Sequence, residues 1–331
     1  MSQAPYSTLD ERRRGTRFVS LPIKSMLNSP AQTGMEFWSV NPYVGCEFGC
    51  TYCYARFAHR YVVERAGARA GSPDWDQDDF ERRIFVKSDA ANVLALTLRK
   101  PSRLGGHSIA IGTATDPYQP AERQFRITRQ ILERLAQLHG LTIGITTKSP
   151  LIVRDLDVLT RLAERSAVTI QMSIITVDAP LLRRIELRSP APHARLRAME
   201  KLAQAGLSAG VIVAPILPGI TDDVPHLESL LKAAKDAGAR FAGTIPLRMY
   251  TSTRRRYLPL VAEEFPHLLA KYERAYGQGG ELSPVYVAAL KRRVTMLRRK
   301  IGLPSAPWQT ADGRRQTAET DQDAQQQLSL A

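Results

Sequence analysis

The sequence predicts an α/β protein built on a parallel β-sheet. Apolar segments of strand length alternate with amphipathic segments of helical length between residues 35 and 249, and Gly and Pro separate many of them. This alternation favours a parallel sheet whose strands are joined by right-handed helical crossovers. Six or seven strands can be counted, which is fewer than the eight that close a TIM barrel.

The predicted strands are short runs of mostly apolar residues. The first of them, Met35–Val44, leads into a loop that contains all the cysteines, and Pro42 and Gly45 mark its end. The other predicted strands are Arg83–Lys87, Ser108–Gly112, Leu141–Thr146, Ala167–Ile174, Ala209–Ala214 and Phe241–Leu247.

Helical segments occupy most of the intervals between the strands. In Arg126–His139 the apolar residues recur at helical spacing. In Pro180–Ala205 we expect an interruption around Ser189–Pro192, because proline removes a backbone donor and clashes with the preceding turn. The other predicted helices are Cys53–Arg65, Ala90–Arg99, Asp155–Glu164, Pro225–Ala237, Phe265–Tyr276 and Pro284–Ile301.

The chain is expected to divide into four regions. Residues 1–34 form a polar N-terminal arm, residues 35–249 form the α/β unit, and residues 250–303 form a helical, basic extension. Residues 66–79 form a polar insertion loop within the α/β unit. Residues 304–331 are rich in Gln, Asp, Ala and Ser, which favours disorder.

Positive charge is concentrated near the C-terminus. The formal net charge is +14, and residues 240–300 alone contain 13 Lys or Arg and 4 Asp or Glu, a net charge of +9. A basic patch near an active site favours a polyanion such as nucleic acid, and a solvated basic face is an equal alternative. The sequence contains neither a run of 18 apolar residues nor an apolar N-terminal signal segment, so we expect a cytoplasmic protein.

All three cysteines lie close together, as Cys46, Cys50 and Cys53 in the spacing C-x3-C-x2-C. A disulfide framework favours an even number of cysteines. A structural zinc site requires four ligands, and His59 is the only nearby candidate for the fourth. An iron–sulfur cluster usually takes four cysteines, so three would leave one iron open to another ligand.

The longer string from Gly45 to Arg56, GCEFGCTYCYAR, resembles the cluster loop of the radical S-adenosylmethionine (SAM) enzymes. It is similar to the branch of that superfamily that contains spore photoproduct lyase, and the resemblance covers residues 25–303. The resemblance implies a partial, open (βα)6 TIM-type barrel. It also implies that Cys46, Cys50 and Cys53 hold a [4Fe-4S] cluster and that SAM chelates the open iron.

Polar residues follow several predicted strands at their carboxyl ends, where ligands bind in folds of this type. Asp116 follows the third strand, and a turn-forming role is its alternative. Lys148 follows an apolar strand, which allows its ammonium to reach the barrel mouth. The resemblance implies that Lys148 binds the SAM carboxylate and that Tyr52 lies against the adenine. It implies the following set of SAM-binding residues: Tyr52, Thr115, Lys148, Ser173 and Ala214.

Two further positions bear on the fate of the radical. Tyr54 matches a tyrosine implicated in radical transfer in spore photoproduct lyase, and packing beside the cluster is its alternative role. Thr113 matches a cysteine proposed to return a hydrogen atom to the product of that enzyme. A threonine O–H bond is too strong for that role, which argues against repair of spore photoproduct. Glu122, Glu186 and Arg188 lie on loops after strand ends, where they could contact a substrate.

The implied reaction starts with one electron from an external donor of the flavodoxin or ferredoxin type. Reductive cleavage of SAM then gives a 5′-deoxyadenosyl radical, which abstracts a hydrogen atom from the substrate. One hypothesis is lyase- or oxidoreductase-type chemistry on DNA or RNA, as in repair or modification. A second is the same chemistry on a peptide or small molecule. A third is a zinc-stabilised nucleic-acid-binding protein without activity.

Overall fold

The structure is a computed structural model that describes residues 7–12, 15–59, 62, 77–277 and 279–307. Its strands form one seven-stranded sheet, in the order β11-β10-β9-β8-β7-β4-β3, and one four-stranded sheet, in the order β1-β2-β6-β5. The strands are β1 (Thr8–Glu11), β2 (Arg17–Ser20), β3 (Leu27–Asn28), β4 (Trp38–Val40), β5 (Tyr43–Val44), β6 (Arg83–Val86), β7 (Ile109–Ile111), β8 (Thr142–Thr147), β9 (Ala167–Ser173), β10 (Ser208–Ile216) and β11 (Ala242–Pro246).

The seven-stranded sheet is the partial barrel. Six of its strands, from β4 through β7, β8, β9 and β10 to β11, are mutually parallel, and β3 adds an antiparallel edge. In the described part of the chain β3 and β11 stay at opposite edges, so the sheet does not close. The prediction of an α/β fold with a partial, open TIM-type barrel is confirmed. Because the strands are parallel, their carboxyl ends share one rim.

Two predicted strands differ from the structure in a way that matters for the cysteines. The predicted strand Met35–Val44 is two strands, β4 and β5, which lie in different sheets. The two strands are separated by a segment that contains Pro42, which has no N–H to donate to a neighbouring strand. Arg83–Lys87 does form a strand, β6, but it pairs with β2 and β5 rather than with the barrel. The chain therefore passes from the barrel through the small sheet before it enters the cysteine loop.

The helices alternate with the barrel strands and then continue alone after β11. Asp178, Asp223 and Ser283 cap three of them, each accepting a backbone N–H in the first turn. The predicted Pro180–Ala205 segment is two helices, as its prolines require. The helices are α1 (Pro30–Thr33), α2 (Ala90–Thr97), α3 (Glu122–Phe125), α4 (Ile127–Leu135), α5 (Leu156–Ala163), α6 (Ala179–Ile185), α7 (Pro192–Gln204), α8 (Val224–Asp236), α9 (Thr251–Glu264), α10 (Leu269–Tyr276) and α11 (Pro284–Ile301).

The C-terminal helices pack against the cysteine loop. Tyr257 of α9 and Tyr272 of α10 belong to the same apolar cluster as Cys50 and Tyr52. The sequence does not single out α9, because Pro259 lies within it and argues against a helix. The extension therefore supports the loop as well as the barrel.

Several expectations fall partly outside the described residues. Of the predicted helix Cys53–Arg65, residues 54–56 form a 3₁₀ turn and residues 57–59 are helical. Residues 63–76, which include most of the predicted insertion loop, and residues 308–331 of the predicted tail are not described. The four-region division stays a prediction, although the described residues of the arm include β1, β2 and β3. No helix within the described residues is long and apolar enough to cross a membrane.

Candidate active site

The cysteine loop is held by backbone hydrogen bonds on two sides. On one side the N–H of Cys46 donates to the carbonyl of Phe80 at 2.9 Å. On the other side the N–H of Thr51 donates to Ile185 at 3.2 Å, and Cys50 forms an isolated antiparallel bridge with Glu186. The loop is thus fixed between the 3₁₀ turn that precedes β6 and the C-terminal end of α6.

Gly45 permits the turn that precedes the first cysteine. Its φ is +91°, and a Cβ atom there would lie 2.9 Å from the carbonyl oxygens of both Arg83 and Phe80. At Gly140 the φ is +71°, but a Cβ atom would meet nothing within 4 Å. At Gly45 both the positive φ and the lack of space for a Cβ atom favour glycine. At Gly140 only the positive φ does.

We expect Gly45→Ala to destabilise the protein more than the matched control Gly140→Ala. Both variants incur the left-handed backbone cost of about 1–2 kcal/mol, and only Gly45→Ala adds a clash with two backbone carbonyls. Thermal unfolding of the iron-free proteins measures the difference. Equal losses of stability in the two variants would contradict this account of the loop.

The three thiols lie close to one another in a desolvated environment. Cys50 is buried, and Cys46 and Cys53 are partly exposed. Burial raises the pKa of all three thiols, and Asp116 and the neighbouring thiolates raise the pKa of Cys46 further. Thiolates this close repel one another unless a cation is present, and a bound metal keeps its thiol ligands deprotonated. The donor set therefore fits an iron–sulfur cluster.

His59 is not positioned as a fourth zinc ligand. Its Nε2 lies 2.8 Å from the carbonyl oxygen of Arg83, and its ring packs 5.3 Å from the ring of Phe85 between centroids. Among the residues that the structure describes, no three His, Cys, Asp or Glu side chains could hold one metal ion. In a cluster each thiolate binds a different iron, so the arrangement suits a cluster better than a single zinc ion.

Lys148 links the end of β8 to the cysteine loop. Its ammonium donates to the hydroxyl of Tyr52 at 2.9 Å, to the hydroxyl of Ser173 at 3.2 Å and to Oε1 of Glu186 at 2.8 Å. An ammonium has three donors, so all of them are in use. A carboxylate that binds Lys148 must take over one of these bonds, of which the bond to Ser173 is the longest. The structure thus brings together three predicted site residues.

A buried ionic network positions the Lys148 ammonium. Glu186 is fully buried and accepts from Lys148, Arg195, Ser189 and the hydroxyl of Tyr52. Burial opposes ionisation of Glu186, but the charges of Arg195 and Lys148 outweigh it and hold the pKa of Glu186 well below its usual range. Burial also opposes the charge on Lys148, and Glu186 reverses that effect, so the pKa of Lys148 is raised. Both groups are therefore charged at neutral pH.

Thr115 and Asp116 brace the rim of the barrel. The Thr115 hydroxyl donates to the carbonyl of Gly45 at 2.7 Å and accepts from Gln119 at 3.0 Å. Asp116 accepts from the Thr147 hydroxyl and from the N–H of Lys148, each at 2.7 Å. Asp116 therefore ties the loop after β7 to the end of β8, and Thr115 ties the same loop to the cysteines.

Ala214 lies at an irregularity in β10. The ladder with β11 pairs Val213 with Thr244 and then resumes at Ile216, with a register shift between them. Ala214 is thus outside the regular pairing with β11, as residues at a bulge are. Its backbone groups are suited to a ligand that needs main-chain partners at the rim.

Tyr54 reaches from the cysteine loop to the loop after β7. The Tyr54 hydroxyl donates to the Thr113 carbonyl, and 50% of the Tyr54 residue surface is exposed. Burial and the nearby Cys53 thiolate raise the pKa of Tyr54 to about 12, and the charge of Arg248 acts in the other direction. The Thr113 hydroxyl in turn hydrogen-bonds Asn41. The exposed tyrosine ring is therefore anchored at the end of β7.

Sequence reasoning did not identify the supporting role of the buried polar residues at the site. The sequence singles out Glu186 only as a residue after a strand end, and it does not single out Arg195. Both side chains have no exposed surface, and their support of Lys148 is visible only in the fold. Gln119 is also fully buried against Gly45. Glu122 is buried beside Tyr43 and Arg154, so it supports the core and does not face a substrate. No local sequence signal distinguishes these residues from surface charges.

These features define a class of protein, a partial parallel α/β barrel with a three-cysteine loop at its carboxyl rim. The family model of the radical SAM superfamily, which describes its sequences, matches residues 40–234 of this chain. The chain belongs to the radical SAM superfamily, and it is therefore a SAM-dependent radical enzyme. Enzymes of this superfamily use a [4Fe-4S] cluster and SAM and need an external electron donor.

The chain is also similar to uncharacterized proteins and, in fold, to two solved structures. An uncharacterized protein of Mycobacterium tuberculosis is 35% identical over 285 residues, which cover 86% of this chain and 80% of that protein. An uncharacterized protein of Methanocaldococcus jannaschii is 26% identical over 204 residues, 62% of this chain and 69% of that protein. Spore photoproduct lyase complexed with a dinucleoside spore photoproduct has a TM-score of 0.63 at 15% identity, covering 86% of this chain and 79% of that one. Streptococcus suis SuiB bound to its precursor peptide has a TM-score of 0.51 at 12% identity, covering 81% and 47%.

Proposed function

We propose that Cys46, Cys50 and Cys53 hold the [4Fe-4S] cluster and that SAM binds between the cysteine loop and the strand ends. The observation that carries the proposal is the contact between Lys148 and Tyr52, 2.9 Å from nitrogen to oxygen, which joins the end of β8 to the loop. A ligand that reaches both the loop and this ammonium lies across the barrel rim. Formation of 5′-deoxyadenosine by the iron-loaded, reduced protein tests the proposal.

The protein residues in this proposal bind and orient the cofactor. Lys148 holds the SAM carboxylate, with Ser173 and Thr115 beside it as hydroxyl partners. Tyr52 and the backbone of Ala214 border the adenine. When bound, the cluster and SAM supply a 5′-deoxyadenosyl radical that abstracts a hydrogen atom from the substrate.

The proposed substrate is a nucleic acid. What supports it is an exposed aromatic residue, Tyr54, near the positive charge of Arg248 at the rim. Arg248 also lies 3.9 Å from the carboxylate of Glu281, a weak ion pair that a phosphate could replace. Aromatic rings stack on bases that have left the helix, and arginine binds phosphates. The exposed Arg255 of α9 and Arg292 of α11 extend the positive charge over the C-terminal helices. A peptide or small-molecule substrate is the alternative.

The catalytic role of Tyr54 is part of the same proposal. A radical relay requires a tyrosine close to both the cluster loop and the substrate, and Tyr54 directly follows Cys53 and reaches Thr113. Thr113 positions the tyrosine through its carbonyl oxygen. The chain has no cysteine outside the loop to return a hydrogen atom, so spore photoproduct is not the proposed lesion.

We expect the protein to bind short single-stranded DNA or RNA at low salt, and Arg248→Ala to weaken that binding. Removal of one phosphate contact lowers the slope of log affinity against log salt by about 1. Fluorescence anisotropy over a salt series measures both quantities. Arg161→Ala, on the exposed outer side of α5, serves as the matched control. Absence of binding to either nucleic acid at low salt would refute the proposed substrate class.

A further inference from the structure

A basic cavity lies beside the cysteine loop. It has a volume of about 550 Å³, and its lining includes three arginines and one carboxylate, which are Arg12, Arg183, Arg188 and Glu47. Arg12 forms an ion pair with Glu47, which offsets one positive charge. Arg183 and Arg188 are exposed, and neither forms an ion pair in the described part of the chain. The cavity therefore presents a net positive surface.

This cavity reaches the cysteine loop from outside. Glu47 directly follows Cys46, and the N–H of Arg188 donates to the carbonyl of Phe48 at 3.0 Å. At Gly49 there is no side chain, and even a Cβ atom would lie only 3.4 Å from Nε of Arg188. The Arg188 guanidinium thus lies against the bare backbone between Cys46 and Cys50.

The cavity is separate from the proposed SAM site. Its lining contains none of the proposed SAM-binding residues, and it contains neither Tyr54 nor Arg248 of the proposed substrate surface. Tyr52 of the same loop contacts Lys148 and Glu186, and neither of these residues lines the cavity. A molecule in the cavity would therefore meet the cysteine loop without touching the proposed SAM-binding residues.

We propose that this surface, formed by Arg12, Arg183 and Arg188 around the Glu47–Gly49 backbone, docks an acidic one-electron donor protein of the flavodoxin or ferredoxin class. The inference rests on the proposed function, since it assumes that the cysteines hold the cluster. The reduced donor would give up one electron to a cluster held by Cys46, Cys50 and Cys53, and the step would balance without another reactant. Complementary charge steers such encounters and orients the partners.

The position of the surface suits this task. A radical enzyme must keep its substrate side closed while the radical exists, because the radical reacts with any C–H bond within reach. Electron entry through this cavity leaves the proposed SAM-binding residues, Tyr54 and Arg248 free for SAM and substrate. Because Gly49 has no side chain, a docked donor can come closer to the cysteine loop at this position.

The test compares two electron sources. In Arg183→Glu/Arg188→Glu, we expect 5′-deoxyadenosine formation driven by reduced flavodoxin to fall by about tenfold or more, since charge steering contributes roughly 10–1,000-fold to association. Formation driven by dithionite is expected to stay at the wild-type level, which also shows that the variant folds and holds its cluster. Isothermal titration of the iron-free proteins with flavodoxin gives a readout apart from activity, and the double variant is expected to bind about tenfold or more weakly than the wild type. The flavodoxin-driven rate of the wild type is expected to fall with added salt, and that of the variant to change little.

A charge-matched control separates local docking from global charge. Arg161→Glu/Arg197→Glu makes the same charge change at exposed positions on α5 and α7 and is expected to keep both rates. Equal loss of the flavodoxin-driven rate in both double variants, or unchanged flavodoxin-driven rates in Arg183→Glu/Arg188→Glu, would overturn the proposal. So would a loss confined to nucleic-acid binding. Failure of the wild type to cleave SAM with dithionite is a different result, because it overturns the proposed function and the docking surface with it.

Discussion

Replacing Cys50 by Ala is expected to abolish both cluster binding and SAM cleavage. Cys50 is the buried member of the three, and its backbone bridge to Glu186 fixes its position. The chain has no fourth cysteine to take its place. Because the cofactors supply the radical chemistry, loss of the cluster removes the reaction rather than slowing it. Iron and sulfide content after anaerobic reconstitution, followed by detection of 5′-deoxyadenosine, measures both losses.

The same variant carries its own folding control. A free buried cysteine packs as a small apolar residue, so Cys50→Ala is expected to change the stability of the iron-free protein little. Thermal unfolding of the two iron-free proteins should therefore nearly coincide. A Cys50→Ala protein that retains a full cluster and forms 5′-deoxyadenosine would disprove the ligand assignment.

Replacing Lys148 by Met is expected to weaken SAM binding while leaving the iron content unchanged. The lost contact is a charged hydrogen bond of about 1.5–3 kcal/mol, which corresponds to roughly 10–150-fold in affinity. Folding should tolerate the change, because Glu186 keeps its ion pair with Arg195. Isothermal titration of the cluster-loaded protein with SAM gives the affinity. Lys24→Met, at an exposed lysine, is the matched control. Unchanged SAM affinity in Lys148→Met would contradict the proposed orientation of SAM.

Glu186→Gln tests the contribution of this carboxylate to the stability of the buried ionic network. The substitution leaves the Arg195 guanidinium buried without its charge partner, which typically costs about 3–5 kcal/mol of stability. The depressed pKa of Glu186 also sets the sign of the pH dependence. Its stabilisation is fully present above the ordinary carboxylate pKa of about 4.3, and it declines as the pH falls below that value. The difference in unfolding free energy between wild type and Glu186→Gln should therefore shrink in acid, which denaturant unfolding at several pH values measures.

The barrel could be predicted from the sequence because its signals are local. Strands such as Ala167–Ser173 and helices such as Leu156–Ala163 each carry their own periodic pattern. The small sheet could not be predicted in this way. It joins β2 to β6, which are separated by more than 60 residues, and only long-range pairing decides that β6 leaves the barrel. The helix α9 was obscured by Pro259, which tertiary packing of Tyr257 and Val261 overrides.

The same contrast between local signals and long-range contacts applies to the residues of the candidate site. The cysteines and Lys148 are recognisable because each occupies a distinctive local context, a short cysteine spacing or the end of an apolar strand. The supporting role of Glu186, and any role of Arg195, is recognisable only through the contacts that the fold creates. Ion pairs between residues far apart in the chain leave no pattern in a single sequence. The supporting network around a site is therefore harder to predict than the groups that do the chemistry.

The backbone bonds that hold the cysteine loop also bear on which distant substitutions can disturb the cysteines. The carbonyls of Phe80 and Ile185 accept from the N–H groups of Cys46 and Thr51, so neither bond involves a thiol. A change that displaces either carbonyl would therefore shift the positions of the thiols while all three cysteines stay in the sequence. The spacing of the cysteines thus depends on two segments that lie far from them along the chain.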